Sequence, residues 1–103
     1  MRNISYAVLS DTGLIRTNNE DNFFVGSVIN TDPTVSPVAF YGDYNTDLPF
    51  FMGVFDGMGG ADCGEDASRI AAETASMTDF STDGQSALML FARTANRRIC
   101  EFA

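Results

Sequence analysis

The sequence predicts an α+β fold in which a sheet-forming half precedes a helical half. Aromatic and β-branched residues cluster before residue 56, and small apolar residues recur at helical spacing after residue 64. The elements run strand, strand, strand, helix, helix with no internal repeat, which favours segregated layers over alternating βαβ units. A chain of 103 residues allows one domain, so we assign residues 1–103 to a single unit.

Three segments of the first half are predicted to be strands. The first, at residues 4–10, alternates large with small or polar side chains, and the second, at 23–29, is rich in aromatic and β-branched residues. The third, at 50–55, has no polar residue, so we expect both of its faces to be buried. Residues 30–49 hold all three prolines and predict a long loop, with a short strand at 38–41.

Two helices are predicted to follow. Asp62 with Glu65, and Thr82 with Gln85, have the spacing of a capping box at a helix start. The first helix runs to about residue 79, and its small apolar residues favour close packing on a sheet. The apolar stripe of the second helix comprises Leu88, Phe91, Ala95, Ile99 and Phe102. These elements would leave a sheet face and a sheet edge uncovered, so the sequence predicts part of a larger domain.

Charge restricts the possible chemistry. The chain has fourteen acidic residues, six arginines, no lysine and no histidine, and its net charge is −8. We therefore expect no nucleic acid and no membrane as partners, because their recognition relies on clustered cations. Catalytic triads with histidine, histidine-bearing zinc sites and lysine Schiff bases are excluded as well. Carboxylates remain, alone or holding hard cations such as Mg²⁺ or Mn²⁺.

The apolar runs and the cysteines indicate the compartment. No apolar run is long enough to span a bilayer, and the first residues lack the pattern of a signal peptide, so we expect a cytoplasmic protein. Cys63 and Cys100 have no partner motif around them. We therefore expect both to be reduced packing residues.

Polar residues beside the predicted strands are the candidate site residues. Asp56 follows an apolar strand, where its charge requires either a divalent cation or a tight turn of backbone amides. Glu20 and Asp21 precede another strand, either as part of a carboxylate pair with Asp56 or as a solvated turn. Arg16 lies in the same polar stretch and suits a phosphate contact or a surface ion pair.

Two stretches resemble the signatures of the PPM family, the PP2C-type metal-dependent serine/threonine protein phosphatases. SDTGLIRTNNEDNFFV at residues 10–25 is similar to the first signature, and GVFDGMGGADCGEDAS at 53–68 is similar to the second. The DGMGG form, with Met58, is similar to bacterial members. The family fold is an αββα sandwich of two antiparallel sheets flanked by helices. The resemblance implies that this chain is the N-terminal portion of such a domain, incomplete on its own.

The resemblance also implies roles for five residues. Asp21 would bind one of two Mn²⁺ or Mg²⁺ ions, Asp56 would bridge both, and the Gly57 carbonyl would complete a site. Glu20 would act through metal-bound water, and Arg16 would hold the phosphate of a phosphoprotein substrate. The two ions would activate a shared water that attacks phosphorus in line.

Family members are longer and carry later signatures with further metal-binding aspartates. We therefore expect negligible activity from the isolated chain. Two other functions stay open. The chain could be a non-catalytic or regulatory fragment that dimerises or pairs with a complementing chain. It could also be an acidic Ca²⁺-binding domain, although it has no EF-hand spacing.

Overall fold

The computed structural model describes residues 1–16, 18–32, 34–57, 64–81 and 83–102. Strands and helices are segregated along the chain, so the predicted α+β class is confirmed. The elements are β1 (Arg2–Ser10), β2 (Asn22–Val25), β3 (Val28–Ile29), β4 (Val38–Thr46), β5 (Met52–Phe55), α1 (Gly64–Met77) and α2 (Gly84–Phe102).

The strands form two antiparallel sheets, as predicted. β1 and β4 make a two-stranded sheet and pair along all nine residues of each strand. The other sheet has the order β3-β2-β5, with Asn22 of β2 opposite Phe55 of β5. β2 is therefore the central strand of the second sheet, and the predicted site residues lie near its first residue.

β2 is the centre of the core because it is buried on both faces. Successive side chains of a strand point to opposite faces. Phe23 packs against Phe40 of β4, with ring centroids 5.9 Å apart, whereas Phe24 packs against Phe80 between the two helices, at 6.0 Å. The β1–β4 sheet thus covers one face of β2, and the helical layer covers the other.

β5 is buried on one face only, so the prediction that both faces are buried was wrong. Phe55 faces the helices, where its ring centroid lies 5.8 Å from that of Phe91. Met52 and Val54, on the opposite face, are 71% and 84% exposed. Within the described residues, β1 and β4 do not extend over β5. An apolar run cannot show this difference, because burial of the second face depends on which layer covers it.

Two other strand predictions also need correction. The segment at residues 23–29 is a hairpin, since Gly26 and Ser27 have φ angles of 51° and 76° and form the turn between β2 and β3. Much of the predicted loop at 30–49 is β4, which is longer than the predicted strand at 38–41. Its glycine, aspartate and asparagine residues disfavour a strand locally, but pairing with β1 overrides that preference.

The helices form the outer layer. α1 lies on β2, β3 and β5 and buries small residues against them, as predicted, whereas α2 packs mainly on α1. The predicted stripe of α2 was partly wrong. Ala87 and Ala95 are buried, but Leu88 and Phe102 are 48% and 54% exposed. Contact with α1 selects the alanines because small side chains let two helices approach closely.

Asp83 caps the start of α2. Its carbonyl oxygen accepts a hydrogen bond from the Ala87 N–H at 2.9 Å, and its carboxylate accepts one from the Gln85 N–H at 3.2 Å. The cap therefore lies one residue later than the predicted capping box. The predicted caps Asp62 and Thr82 lie outside the described residues.

Cys100 is a free thiol on the surface, so the prediction that it is a packing residue was wrong. Cys63 and Met58 lie outside the described residues. In the part of the chain that the structure describes, neither helix has the length and apolarity needed to cross a membrane.

Candidate metal centre

All five predicted site residues line one cleft of about 320 Å³. The cleft lies where β1 and β5 end and β2 begins. Its lining residues are Asp11, Thr12, Arg16, Asn18, Asn19, Glu20, Asp21, Asp56 and Gly57. Residues far apart in sequence therefore meet at one end of the sheets.

Strand register brings Asp21 and Asp56 together. Asp21 immediately precedes β2, and Asp56 immediately follows β5. The two strands are antiparallel, with Asn22 opposite Phe55, so Asp21 and Asp56 are the next pair beyond the ladder. Their carboxyl groups are close enough to share a proton.

The pKa of Asp21 is raised above its ordinary value of 3.8. Burial is the largest cause, followed by the charge of Asp56 and the hydrogen bond between the two carboxyl groups. The backbone N–H of Gly57 and the charge of Arg16 act in the opposite direction and stabilise the ionised form. A divalent cation between the carboxylates would remove the repulsion that raises this pKa.

Asn19 holds Asp21 in place and was not among the predicted site residues. It is buried, and its side-chain Nδ2 donates a hydrogen bond to Ser10 Oγ at 2.7 Å. Its Oδ1 accepts a bond from the Asp21 N–H at 3.1 Å, which is an Asx turn. The backbone of Asp21 is therefore tied to the last residue of β1. The signal in the sequence is an asparagine two residues before an aspartate.

Asp11 and Thr12 also line the cleft and were missed. Asp11 Oδ1 accepts hydrogen bonds from the Gly13 N–H at 3.0 Å and from Ser36 Oγ at 3.3 Å. The Thr12 N–H donates to Ser36 Oγ at 2.8 Å. Asp11 follows β1 in the same way that Asp56 follows β5. That shared position at a strand end could have identified it.

Gly57 lies in close contact with two other backbone segments. A Cβ atom at this position would overlap the carbonyl oxygens of Glu20 and Gly64, so only glycine fits without a backbone shift. The Gly57 carbonyl oxygen lies 3.2 Å from the point that a Cβ of Gly64 would occupy. The predicted metal-binding carbonyl is thus beside the first residue of α1.

The residues present fit part of a site for a hard divalent cation. Asp21 and Asp56 offer carboxylate oxygens, which Mg²⁺ and Mn²⁺ prefer, and their mutual repulsion favours a bound cation. Among the described residues, no three acidic, cysteine or histidine side chains form a group that could hold a metal ion. Glu20 therefore does not complete a cluster of three ligands with the aspartate pair.

No protein family, curated protein or solved structure gives a match to this chain. Its function is therefore inferred from the chemistry of the cleft. The paired carboxylates of Asp21 and Asp56, with Arg16 beside them, are the features that bear on it.

Proposed function

We propose that this chain supplies part of the active site of a PP2C-type phosphatase that hydrolyses phosphoserine and phosphothreonine in proteins. The observation that carries the proposal is the contact between Asp21 and Asp56, with Arg16 in the same cleft. Two carboxylates held against each other favour a cation, and an adjacent guanidinium favours an anion. A metal-dependent reaction on a phosphate ester requires both.

The residues have distinct roles in this proposal. Asp21 and Asp56 would hold divalent cations, which when bound supply a water nucleophile at neutral pH. Arg16 lies in the exposed loop between β1 and β2, where it can meet a phosphoprotein. Its planar guanidinium matches two phosphate oxygens at once. Asn19 keeps the Asp21 backbone in place through its two hydrogen bonds.

Titration calorimetry with Mn²⁺ tests the cation part. Asp21→Asn and Asp56→Asn should each weaken binding by more than about tenfold, the smaller effect typical of changes around a metal ligand. Asp43→Asn is the matched control, because it removes an acidic charge from β4, outside the cleft. Equal binding by the wild type and all three variants would refute a metal centre at this pair.

Phosphate recognition is tested separately, by nuclear magnetic resonance with phosphothreonine in the presence of Mg²⁺. Arg16→Ala should abolish the chemical-shift changes of the cleft amides. Arg16→Lys should restore them only in part, because lysine keeps the charge and loses the bidentate geometry. Unchanged binding by Arg16→Ala would remove Arg16 from the proposed site. We still expect negligible Mn²⁺-dependent hydrolysis of p-nitrophenyl phosphate by the 103 residues alone.

A second candidate function, association with another copy of the chain, is favoured by the outer face of β5. The exposed Met52 and Val54 border an apolar groove that includes Val8 and Phe23. Within the described residues, β5 pairs only with β2, so its other edge is open. Sedimentation should show dimers that Val54→Asp converts to monomers. A wild-type chain that stays monomeric at all concentrations would exclude this function.

A further inference from the structure

Three backbone segments meet beside the aspartate pair with no side chain between them. They are the loop before β2 at Glu20, the residue after Asp56, which is Gly57, and the start of α1 at Gly64. A Cβ on Gly57 would overlap backbone oxygens of both other segments. The position of Gly57 is therefore determined jointly by Glu20 and by α1.

The side chain of Glu20 lies over the first residue of α1. A Cβ on Gly64 would lie 2.5 Å from Glu20 Oε2 and 2.8 Å from Glu20 Cδ, distances that real Cβ atoms do not show. The carboxylate thus occupies the space that any side chain at position 64 would need. The first N–H groups of a helix have no partner within the helix, and the helix dipole makes this end positive. A carboxylate is favourable there.

We propose that Glu20 is a positioning residue, which holds the start of α1 against Gly57 and so fixes Asp56 opposite Asp21. This inference rests on the proposed function and deepens it, because it gives Glu20 a role other than contact with metal-bound water. Glu20 acts through Gly64 and Gly57. The lack of a side chain at both glycines is what allows the three segments to meet.

Two substitutions at Glu20 separate this role from metal binding. Glu20→Gln keeps the length of the side chain and an oxygen that can accept hydrogen bonds from the helix start. We expect its Mn²⁺ affinity to stay within about threefold of wild type, whereas Glu20→Ala should lose about tenfold or more, as for other residues that orient a ligand. Glu20→Ala should also speed hydrogen exchange of the first α1 amides in the metal-free chain. The conservative variant therefore rescues what alanine loses.

Glu65→Gln is the matched control. It removes a negative charge from the first turn of the same helix, and Glu65 does not line the cleft. Its Mn²⁺ affinity should equal that of wild type. If Glu20→Gln and Glu20→Ala lose affinity equally while α1 exchange is unchanged, Glu20 serves the metal and the positioning role is wrong.

A double-mutant cycle with Gly64→Ala tests the contact without any metal. In the wild-type background the new methyl group meets the Glu20 carboxylate, so the melting temperature should fall. In the Glu20→Ala background the space is free, and Gly64→Ala should raise the melting temperature, because alanine favours a helix over glycine. Equal shifts in both backgrounds would overturn the inference. If Glu20→Ala does not fold, Glu20→Asp takes its place, since its shorter side chain also leaves that space.

The two parts of the proposal fail separately. A wild-type chain without Mn²⁺ affinity would contradict the proposed function, while the metal-free cycle would still decide whether Glu20 contacts Gly64. An additive cycle together with normal Mn²⁺ affinity would contradict the positioning role and leave the metal centre intact.

Discussion

β2 and β5 are neighbours of equal length in one sheet, yet their surroundings differ. All four residues of β2 are buried between the β1–β4 sheet and the helices. In β5, Phe55 packs on Phe91, but Val54 on the opposite face is 84% exposed. Each strand borders one aspartate of the candidate site, Asp21 or Asp56. The carboxylate pair therefore joins a strand held on two sides to a strand held on one.

The difference shows how Asp56 is positioned despite the uncovered face of its strand. Asp21 is held through β2 and through the Asx turn of Asn19. Asp56 has the ladder with β2 on one side, and the close backbone contacts of Gly57 on the other. Backbone contacts beyond the end of β5 thus supply the restraint that a second covering layer supplies for β2.

The largest expected effect comes from truncating one aromatic ring of β2. Phe24→Ala should lower the free energy of unfolding by about 3–5 kcal/mol, because a buried phenylalanine leaves a cavity. Val54→Ala in β5 should change it by less than about 0.5 kcal/mol, as for other exposed positions. Urea denaturation followed by circular dichroism measures both values.

The matched pair keeps this test decisive if Phe24→Ala does not fold. Phe24→Leu then replaces it, and it should still destabilise more than Val54→Ala. Similar losses at positions 24 and 54 would mean that a further layer covers β5 in solution. That outcome would favour self-association.

A smaller effect is expected where the two strands present their aspartates. Asp21→Asn should stabilise the chain in EDTA by at most about 1 kcal/mol, because it relieves the repulsion with Asp56 between partly solvated groups. Saturating Mn²⁺ should reverse the order, since the wild type gains stability from binding that the variant lacks. Thermal unfolding in EDTA and in Mn²⁺ measures both. A variant less stable than the wild type in EDTA would contradict the repulsion.

The smallest effect concerns the turn that holds Phe80 against β2. Asp79 accepts hydrogen bonds from the N–H of Ser81 at 2.9 Å and from its Oγ at 2.5 Å, which lower the pKa of Asp79 below 3.8. A lowered pKa in the folded state stabilises the chain above the unfolded pKa, and this contribution disappears as the pH falls through the folded value. Ser81→Ala should therefore raise the pKa of Asp79 towards 3.8.

A carbon-detected titration by nuclear magnetic resonance would measure that shift. The similar turn of Asp32 with Thr34 is an internal control, because its lowered pKa should not respond to Ser81→Ala. An Asp79 pKa that stays low in the variant would assign the effect to the backbone bond alone.

The features that the sequence predicted are those with a local signal. β1 shows its alternation in the burial of Ile4, Tyr6 and Val8, and α1 shows its small buried residues. The class of fold and the presence of two antiparallel sheets follow from such signals. The hairpin of β2 and β3 also had one, because Gly26 before Ser27 permits the positive φ angles of the turn.

Features that depend on a distant partner could not be predicted in this way. The length of β4 comes from its pairing with β1, and the open face of β5 comes from the reach of another sheet. In the cleft, the meeting of Asp21 with Asp56 follows from their places at strand ends. The contributions of Asn19 and Asp11 do not, since Ser10 and Ser36, their partners, come from other segments.

The register of β2 and β5 determines the alignment of the two charged groups. Because side chains alternate between the faces of a strand, a slip of one residue would turn Phe55 away from Phe91. The same slip would carry Asp56 out of line with Asp21. The apolar contact inside the domain therefore selects the register at which two mutually repelling carboxylates stand side by side. An uncharged contact in the core thus performs an alignment that the charged groups themselves oppose.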